Sequence, residues 1–193
     1  MPHHGVLSAA RQTLTGGHMD SSIFDVYWAE RQPDRSDMAE FWTRRASSFN
    51  AHGGEADSSA YRQGLVAKVA ARAGISRQDA VLDVGCGPGR HALEFAQLAG
   101  SVDGSDIAPG MIECAKANAL EAKVSNASFQ VLDWAEADLE LLGWAKRFKL
   151  VFASRTPAIY DRSTLNKMTE ASSGYCCLLT QVTGDNSVRR TLA

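Results

Sequence analysis

Val81-Leu82-Asp83-Val84-Gly85-Cys86-Gly87-Pro88-Gly89 reads as a buried strand that closes on an acid and runs into three closely spaced glycines. Glycine accepts positive φ and has no Cβ to hold a ligand away. The stretch therefore predicts a strand-to-loop-to-helix turn at which a ligand touches backbone. Two cofactor classes use such turns. A dinucleotide fingerprint, G-x-G-x-x-G, places a pyrophosphate at the helix N-terminus. Here Gly89 comes one residue too early and Arg90 stands where that fingerprint wants glycine. A carboxylate at Asp83 would also repel a pyrophosphate, whereas it suits a ligand that carries an amine.

Downstream spacing extends the pattern. Arg90 to Ala99 places Ala92, Leu93, Phe95, Ala96 and Ala99 at helical intervals, and Gly100 stands where a helix would stop. A second short strand, Val102 to Ser105, closes on Asp106. An acid about 20 residues beyond a glycine loop, at the tip of the second strand, is placed to accept both ribose hydroxyls of an adenosine. Asp103 competes for that role from a mid-strand position, where a solvated side chain is the simpler reading. A helix from Met111 to about Lys123 and a third strand, Ser128 to Leu132 ending at Asp133, follow.

The order acid-x-Gly-x-Gly-x-Gly over Asp83 to Gly89 resembles motif I of the class I S-adenosylmethionine-dependent methyltransferases, in particular their type 11 and type 25 groups. Ile107-Ala108-Pro109-Gly110-Met111 resembles the family's opening of the next helix. The resemblance implies S-adenosyl-L-methionine as cofactor and S-adenosyl-L-homocysteine as product. It implies a cofactor site made by Asp83, Gly85, Cys86, Gly87 and Gly89, then by Asp106, Ile107 and Met111, with Ala153 on the fourth strand. It further implies that Asp133 accepts a hydrogen bond from the adenine amino group while Trp134 packs on the ring. A helix N-cap aspartate followed by a core tryptophan is the plainer alternative for that pair, and the two readings are compatible. An NAD-dependent oxidoreductase is the remote alternative that the glycine spacing disfavours.

The implied fold is α/β: a doubly wound, mostly parallel, Rossmann-like sheet with a helical N-terminal segment. Residues 1–22 lack periodicity, contain His3, His4 and His18, and read as a disordered leader rather than a metal site; no metal is expected. Residues 23–193 read as one domain, with a helical lid over 23–59 and the cofactor-binding core over 60–193. The lid is rich in aromatics. Trp42, Arg45 and Phe49 are candidates to lie across the cofactor, where aromatic faces exclude water and attract a sulfonium. The alternative is an apolar stripe of Trp42, Ala46 and Phe49 packed on the domain, with Arg44 and Arg45 in solvent.

The fourth strand, Phe148 to Ser154, leads into Arg155-Thr156-Pro157-Ala158-Ile159-Tyr160, where Ser154, Thr156 and Tyr160 are candidates for the substrate wall. The N/D-P-P-Y/F sequence of amino-modifying relatives is missing there, which disfavours adenine or glutamine methylation. Lys149 stands where relatives have an acid, and His91 is a candidate base or a structural residue. The expected function is methyl transfer to a small-molecule acceptor by in-line displacement. The alternative is a cofactor-binding protein without turnover, because Tyr175 to Val182 reads as a fifth strand and strands six and seven have no candidate residues. That reading implies a shortened domain, with homodimers through the exposed fifth-strand edge.

Composition sets the class. The chain has 193 residues, 45% of them hydrophobic, and a formal net charge of -2. That is enough to bury one core and gives no electrostatic sign of nucleic-acid binding. No stretch reads as a membrane span or a signal peptide, so a cytoplasmic location is expected. Four cysteines, Cys86, Cys114, Cys176 and Cys177, lack metal-ligand spacing and read as reduced, buried thiols.

Overall fold

The computed structural model describes residues 35–52 and 56–180. The expected leader, the aromatic residues Phe24, Tyr27 and Trp28, and the end of the expected fifth strand lie outside them. Two helices come first, α1 (Arg35–His52) and α2 (Ala56–Ala73). The core follows as β1 (Ala80–Val84), α3 (Arg90–Ala96), β2 (Ser101–Asp106), α4 (Pro109–Glu121), β3 (Ala127–Val131), β4 (Phe148–Ser154), α5 (Arg162–Ala171) and β5 (Ser172–Leu179). The strands form one sheet in the order β3-β2-β1-β4-β5, and every pair is parallel. Parallel strands need helical crossovers, so both faces of the sheet are covered.

Strand alternation divides the core in two. Val81, Val102, Leu150 and Phe152 point to the face packed by α2, α3 and α4, through Val66, Phe95 and Ile112. Leu82, Val84, Val151 and Ala153 point the other way, onto Met168 of α5 and onto Trp134, Trp144 and Phe148. Burying a large apolar side chain contributes about 1.5–3 kcal/mol, so these central strands hold the domain together. An irregularity in the β4–β5 ladder lies between Phe148 and Leu150, where the two side chains go to opposite faces.

Helix ends follow local chemistry. Pro109 occupies the first turn of α4, where its missing N–H costs nothing. Asp161 caps α5: its carboxylate accepts from the Thr164 N–H at 2.7 Å, and the Thr164 hydroxyl accepts from the Asp161 N–H at 3.2 Å. Helix α1 docks on α4 through Ala46, Ala108 and Met111, with Trp42 and Cys114 at the margin. Gly110 permits that contact, since a Cβ there would stand 3.0 Å from the Thr43 carbonyl oxygen.

Several expectations need correction. Helix α3 ends at Ala96 rather than Ala99. Strand β5 begins three residues earlier than Tyr175 and ends at Leu179. Ser172-Ser173-Gly174 looks like a helix stop followed by a turn, yet it is strand. Gly174 is required because a Cβ there would stand 2.8 Å from the Lys149 carbonyl oxygen on β4. The cysteines are free, but only Cys86 is buried; Cys114 and Cys177 are half-buried and Cys176 is exposed. The cause is position: β5 is the edge strand of the described sheet and presents Tyr175 and Leu178 to solvent. Among the described residues no helix is long and apolar enough to cross a membrane, and no His/Cys/Asp/Glu group could hold a metal.

Candidate active site

The strand order reverses between β1 and β4, and in open α/β sheets the ligand crevice opens at the carboxyl ends of the strands at that point. A cleft of about 850 Å³ lies there. Its floor is the glycine turn. Gly85, Gly87 and Gly89 adopt φ of 65°, 54° and 77°, values that L side chains resist. Each glycine answers a different need. A Cβ on Gly85 would stand 1.9 Å from the Thr156 hydroxyl oxygen, whereas Gly87 has no neighbour closer than 4.0 Å. Gly87 thus leaves backbone open to a ligand. Gly89 starts α3 and faces Phe129, whose ring would be 2.8 Å from a Cβ. It serves helix–strand packing and does not line the cleft, which corrects its assignment as a cofactor contact.

Asp106, at the tip of β2, is locked in place. Its Oδ2 accepts from the Gly87 N–H at 2.9 Å, and its Oδ1 accepts from the Ala108 N–H at 2.9 Å. Each oxygen keeps a further lone pair for a ligand hydroxyl. Burial raises its pKa, opposed by those two N–H donors. Asp83 lies deeper, 2% exposed. Its Oδ2 has no hydrogen-bond partner, and neither has the buried Ser105 hydroxyl. Burial pushes Asp83 up to about 8, against the Ala92 N–H and with the Asp106 charge adding to the rise. Two orphaned polar atoms on the floor of one cleft mark a place for a polar, cationic group. Burial likewise keeps the Cys86 thiol protonated by raising its pKa.

The third acid is shared. Asp133 Oδ2 receives Arg35 Nη1 at 3.1 Å, and its Oδ1 accepts from the Ala135 N–H at 3.0 Å, as a capping aspartate would. Trp134 belongs to the core: it is 2% exposed and its Nε1 donates to the Thr164 carbonyl oxygen at 3.0 Å. It backs the cleft wall from inside, where Ile107, Met111 and Leu132 also present apolar side chains. Ala153 is fully buried opposite Val84 and does not reach the cleft, a second correction.

Of the lid candidates, Trp42 and Phe49 line the cleft and meet edge to face at 5.8 Å. Arg45 does not; it is exposed and stacks on Phe41 at 3.7 Å. Helix α1 crosses the mouth and is fastened at both ends. Arg35 bridges to Asp133 and Glu136 and lies 5.2 Å over the Tyr160 ring. At the other end Asn118 Nδ2 donates to Asn50 Oδ1 and to the Pro88 carbonyl oxygen, each at 2.9 Å. Ser154, Thr156 and Tyr160 all line the cleft. Residues not foreseen as cleft lining include Arg35, Tyr61, Arg62 and Leu179; isolated side chains on separate elements leave no local motif. His91, the candidate base, packs on Phe152 at 5.2 Å. Burial, then the Arg62 and Arg155 charges, lower its pKa to about 4.

A doubly wound sheet with an acid at the tip of β2, a glycine turn under it and a buried carboxylate beside it defines an adenosine-binding domain of the methyltransferase type. Residues 75–183, more than half of the chain, match the family described as "Methyltransferase domain". The chain belongs to this family, and with it to the class I S-adenosylmethionine-dependent methyltransferases. It is similar to the aklanonic acid methyltransferase DauC of Streptomyces sp. (strain C5), 44% identical over 78 residues that make up 38% of this chain and 33% of that protein. It is also similar to the 23S rRNA (uracil(1939)-C(5))-methyltransferase RlmD of Marinomonas posidonica, 38% identical over 71 residues, 37% of this chain and 16% of that one. The chain thus matches a third or less of the length of these two curated relatives. In fold it resembles the crystal structure of a Methanococcus maripaludis protein assigned as an S-adenosylmethionine-dependent methyltransferase. The TM-score is 0.62 at 15% identity, over 78% of this chain and 68% of that one.

Proposed function

We propose that this domain transfers the methyl group of S-adenosylmethionine to a small-molecule acceptor held in the same cleft. The observation that carries the cofactor half of this reading is the pair Asp83 and Asp106: one buried carboxylate with an unpartnered oxygen, one fixed by two backbone donors with lone pairs to spare. Such a floor repels a pyrophosphate and suits an amine beside a ribose. Asp106 would hold the ribose hydroxyls, Asp83 and Ser105 the amino acid end, and Ile107, Met111 and Leu132 the adenine. Asp133 has capacity left for the adenine amino group.

The bound cofactor supplies a methyl group already activated on a sulfonium. The chain's own residues then have to position the acceptor and exclude water, effects worth up to about 7–11 kcal/mol in well-oriented systems. Trp42 and Phe49 supply aromatic faces over the floor. A general base works best with a pKa near the working pH, so His91, at about 4, serves as a neutral wall residue. The likeness to DauC, whose name gives a small organic acid as substrate, supports a small-molecule acceptor. The formal charge of -2 does not favour an RNA partner. We place the protein in the cytoplasm, and two copies pairing along the β5 edge would explain its exposed Tyr175 and Leu178.

The test is a methyl-transfer assay with labelled S-adenosylmethionine against a panel of small organic acids, phenols and amines, with an rRNA fragment as a further arm. Transfer to a small molecule supports the reading. Transfer to RNA alone overturns the acceptor class, and cofactor binding without any transfer identifies a binding protein.

A further inference from the structure

Resting on the cofactor reading above, we propose that Thr156 belongs to the cofactor site: its hydroxyl donates a hydrogen bond to the carboxylate at the amino acid end of S-adenosylmethionine. That end of the ligand carries two charged groups on one carbon. Asp83 answers the amine, and a donor close by has to answer the carboxylate.

The glycine turn has no such donor to give. The Cys86 N–H donates to the Ser105 carbonyl oxygen at 2.9 Å, and the Gly89 N–H to the Cys86 carbonyl oxygen at 3.0 Å. The Gly87 N–H is spent on Asp106, and Pro88 has no N–H. From Cys86 to Gly89 no backbone donor is left for an anion, so a side chain has to serve. The arginines that line the cleft are committed elsewhere or exposed. Arg35 pairs with Asp133 and Glu136, Arg62 faces Glu94, Arg90 donates to Asn50 and Arg155 is exposed.

Thr156 is pressed onto the turn by the backbone before it. Arg155 holds φ of 51°, a costly conformation for a residue other than glycine, and its N–H is tied to the Leu179 carbonyl oxygen at 2.8 Å. The chain thereby crosses from the end of β4 to the end of β1. A Cβ on Gly85 would stand 1.9 Å from the Thr156 hydroxyl oxygen, so that oxygen sits where a side chain of residue 85 would begin. Gly85 follows Asp83 by two residues and lines the same cleft. The Thr156 oxygen accepts from the Ala158 N–H at 3.1 Å, which fixes the side chain, and among the described residues nothing accepts its proton. A hydroxyl carries one donor beside its acceptor lone pairs. Here that donor is oriented, unspent and beside the amine site, which is what a carboxylate oxygen requires. Local strain that fixes a polar group at a ligand site is a mark of preorganisation. An oxygen of the acceptor is the other partner open to this hydroxyl, and titrations run without acceptor separate the two.

The experiment is calorimetric titration of the full chain, Thr156→Val and Thr156→Ser with two probes, S-adenosylhomocysteine and S-adenosylhomocysteine lacking its carboxylate. Valine keeps the shape and removes the donor, whereas serine keeps the donor. The unaltered chain should bind S-adenosylhomocysteine about tenfold or more tightly than the decarboxylated form, as expected for a charge-assisted hydrogen bond. Thr156→Val should abolish that preference by weakening S-adenosylhomocysteine alone, and Thr156→Ser should keep most of it. Valine also takes the acceptor from the Ala158 N–H, and a loop loosened in that way would weaken both probes alike. Equal loss of both probes therefore overturns the proposal and leaves Thr156 a loop residue. Unchanged S-adenosylhomocysteine affinity in Thr156→Val overturns it as well and assigns the hydroxyl to the acceptor. Either result leaves the cofactor reading standing. If the unaltered chain binds neither probe, the cofactor reading itself fails, and the assignment of Thr156 falls with it.

Discussion

The two sides of the cleft are built from different materials. On the β1–β2 side the cleft presents a backbone turn and two carboxylates fixed by strand ends: Asp106 is held by the Gly87 and Ala108 N–H groups, and Asp83 is 2% exposed. On the β4–β5 side the wall is long side chains from α2 and the loop after β4, reaching in from Tyr61, Arg62, Arg155 and Tyr160. A floor made of strand tips cannot be changed without changing the fold, whereas a wall made of side chains can be exchanged residue by residue. The first suits a constant cofactor and the second a variable acceptor.

Substitutions that separate the two sides test this division. Asp106→Ala removes acceptors of charge-assisted hydrogen bonds to the ribose, each worth about 1.5–3 kcal/mol, and should weaken S-adenosylhomocysteine at least about 100-fold in calorimetry. The melting temperature should fall as well, because the Gly87 and Ala108 N–H groups lose their acceptor. Gly89→Ala should act on stability alone. It places a Cβ 2.8 Å from the Phe129 ring at φ of 77°, strain and overpacking that together cost about 2–4 kcal/mol by denaturant unfolding. The affinity of the protein that still folds should be nearly unchanged.

Asp83 adds a pH signature. Folded, it titrates at about 8, against about 3.9 for a free carboxyl. Between those values the folded state holds a proton that the unfolded state releases. Its contribution to stability is therefore full below about pH 4 and is lost as pH rises to about 8. Pairing with an amine needs the ionised form, so affinity for S-adenosylhomocysteine should rise from pH 6 to pH 8.5. Asp83→Asn should flatten both profiles, stabilise the ligand-free chain at pH 8 and weaken binding about tenfold or more. Smaller still, Phe49→Ala should weaken binding a few-fold, since Phe49 is 50% exposed over the cleft. Arg45→Ala, on the solvent side of the same helix, should stay within about 0.5 kcal/mol of the parent in stability.

The same division governs what can be read from the chain without coordinates. Asp83, the glycines and Asp106 lie within one strand–turn–helix–strand unit, so their spacing is fixed by the geometry of the fold and survives as a local pattern. Even there, the pattern does not say that Gly89 serves Phe129 rather than the ligand, because that contact comes from β3. The Trp134 side chain is decided by Thr164, 30 residues away, which draws the indole N–H into the core. The arginines of the far wall, brought in by α2, α3 and the β4 loop, have no sequence spacing at all. Strand β5 was displaced by three residues because Gly174 looks like punctuation until the Lys149 carbonyl beside it is seen.

We propose above all that the strand tips hold the adenosine and amine of S-adenosylmethionine. Calorimetric titration of the full chain with S-adenosylhomocysteine and with NAD, before and after Asp106→Ala, tests it most directly. One S-adenosylhomocysteine per chain is expected, with loss of at least about two orders of magnitude in the variant and no NAD binding. Binding of NAD without S-adenosylhomocysteine, or S-adenosylhomocysteine affinity indifferent to Asp106, would contradict it.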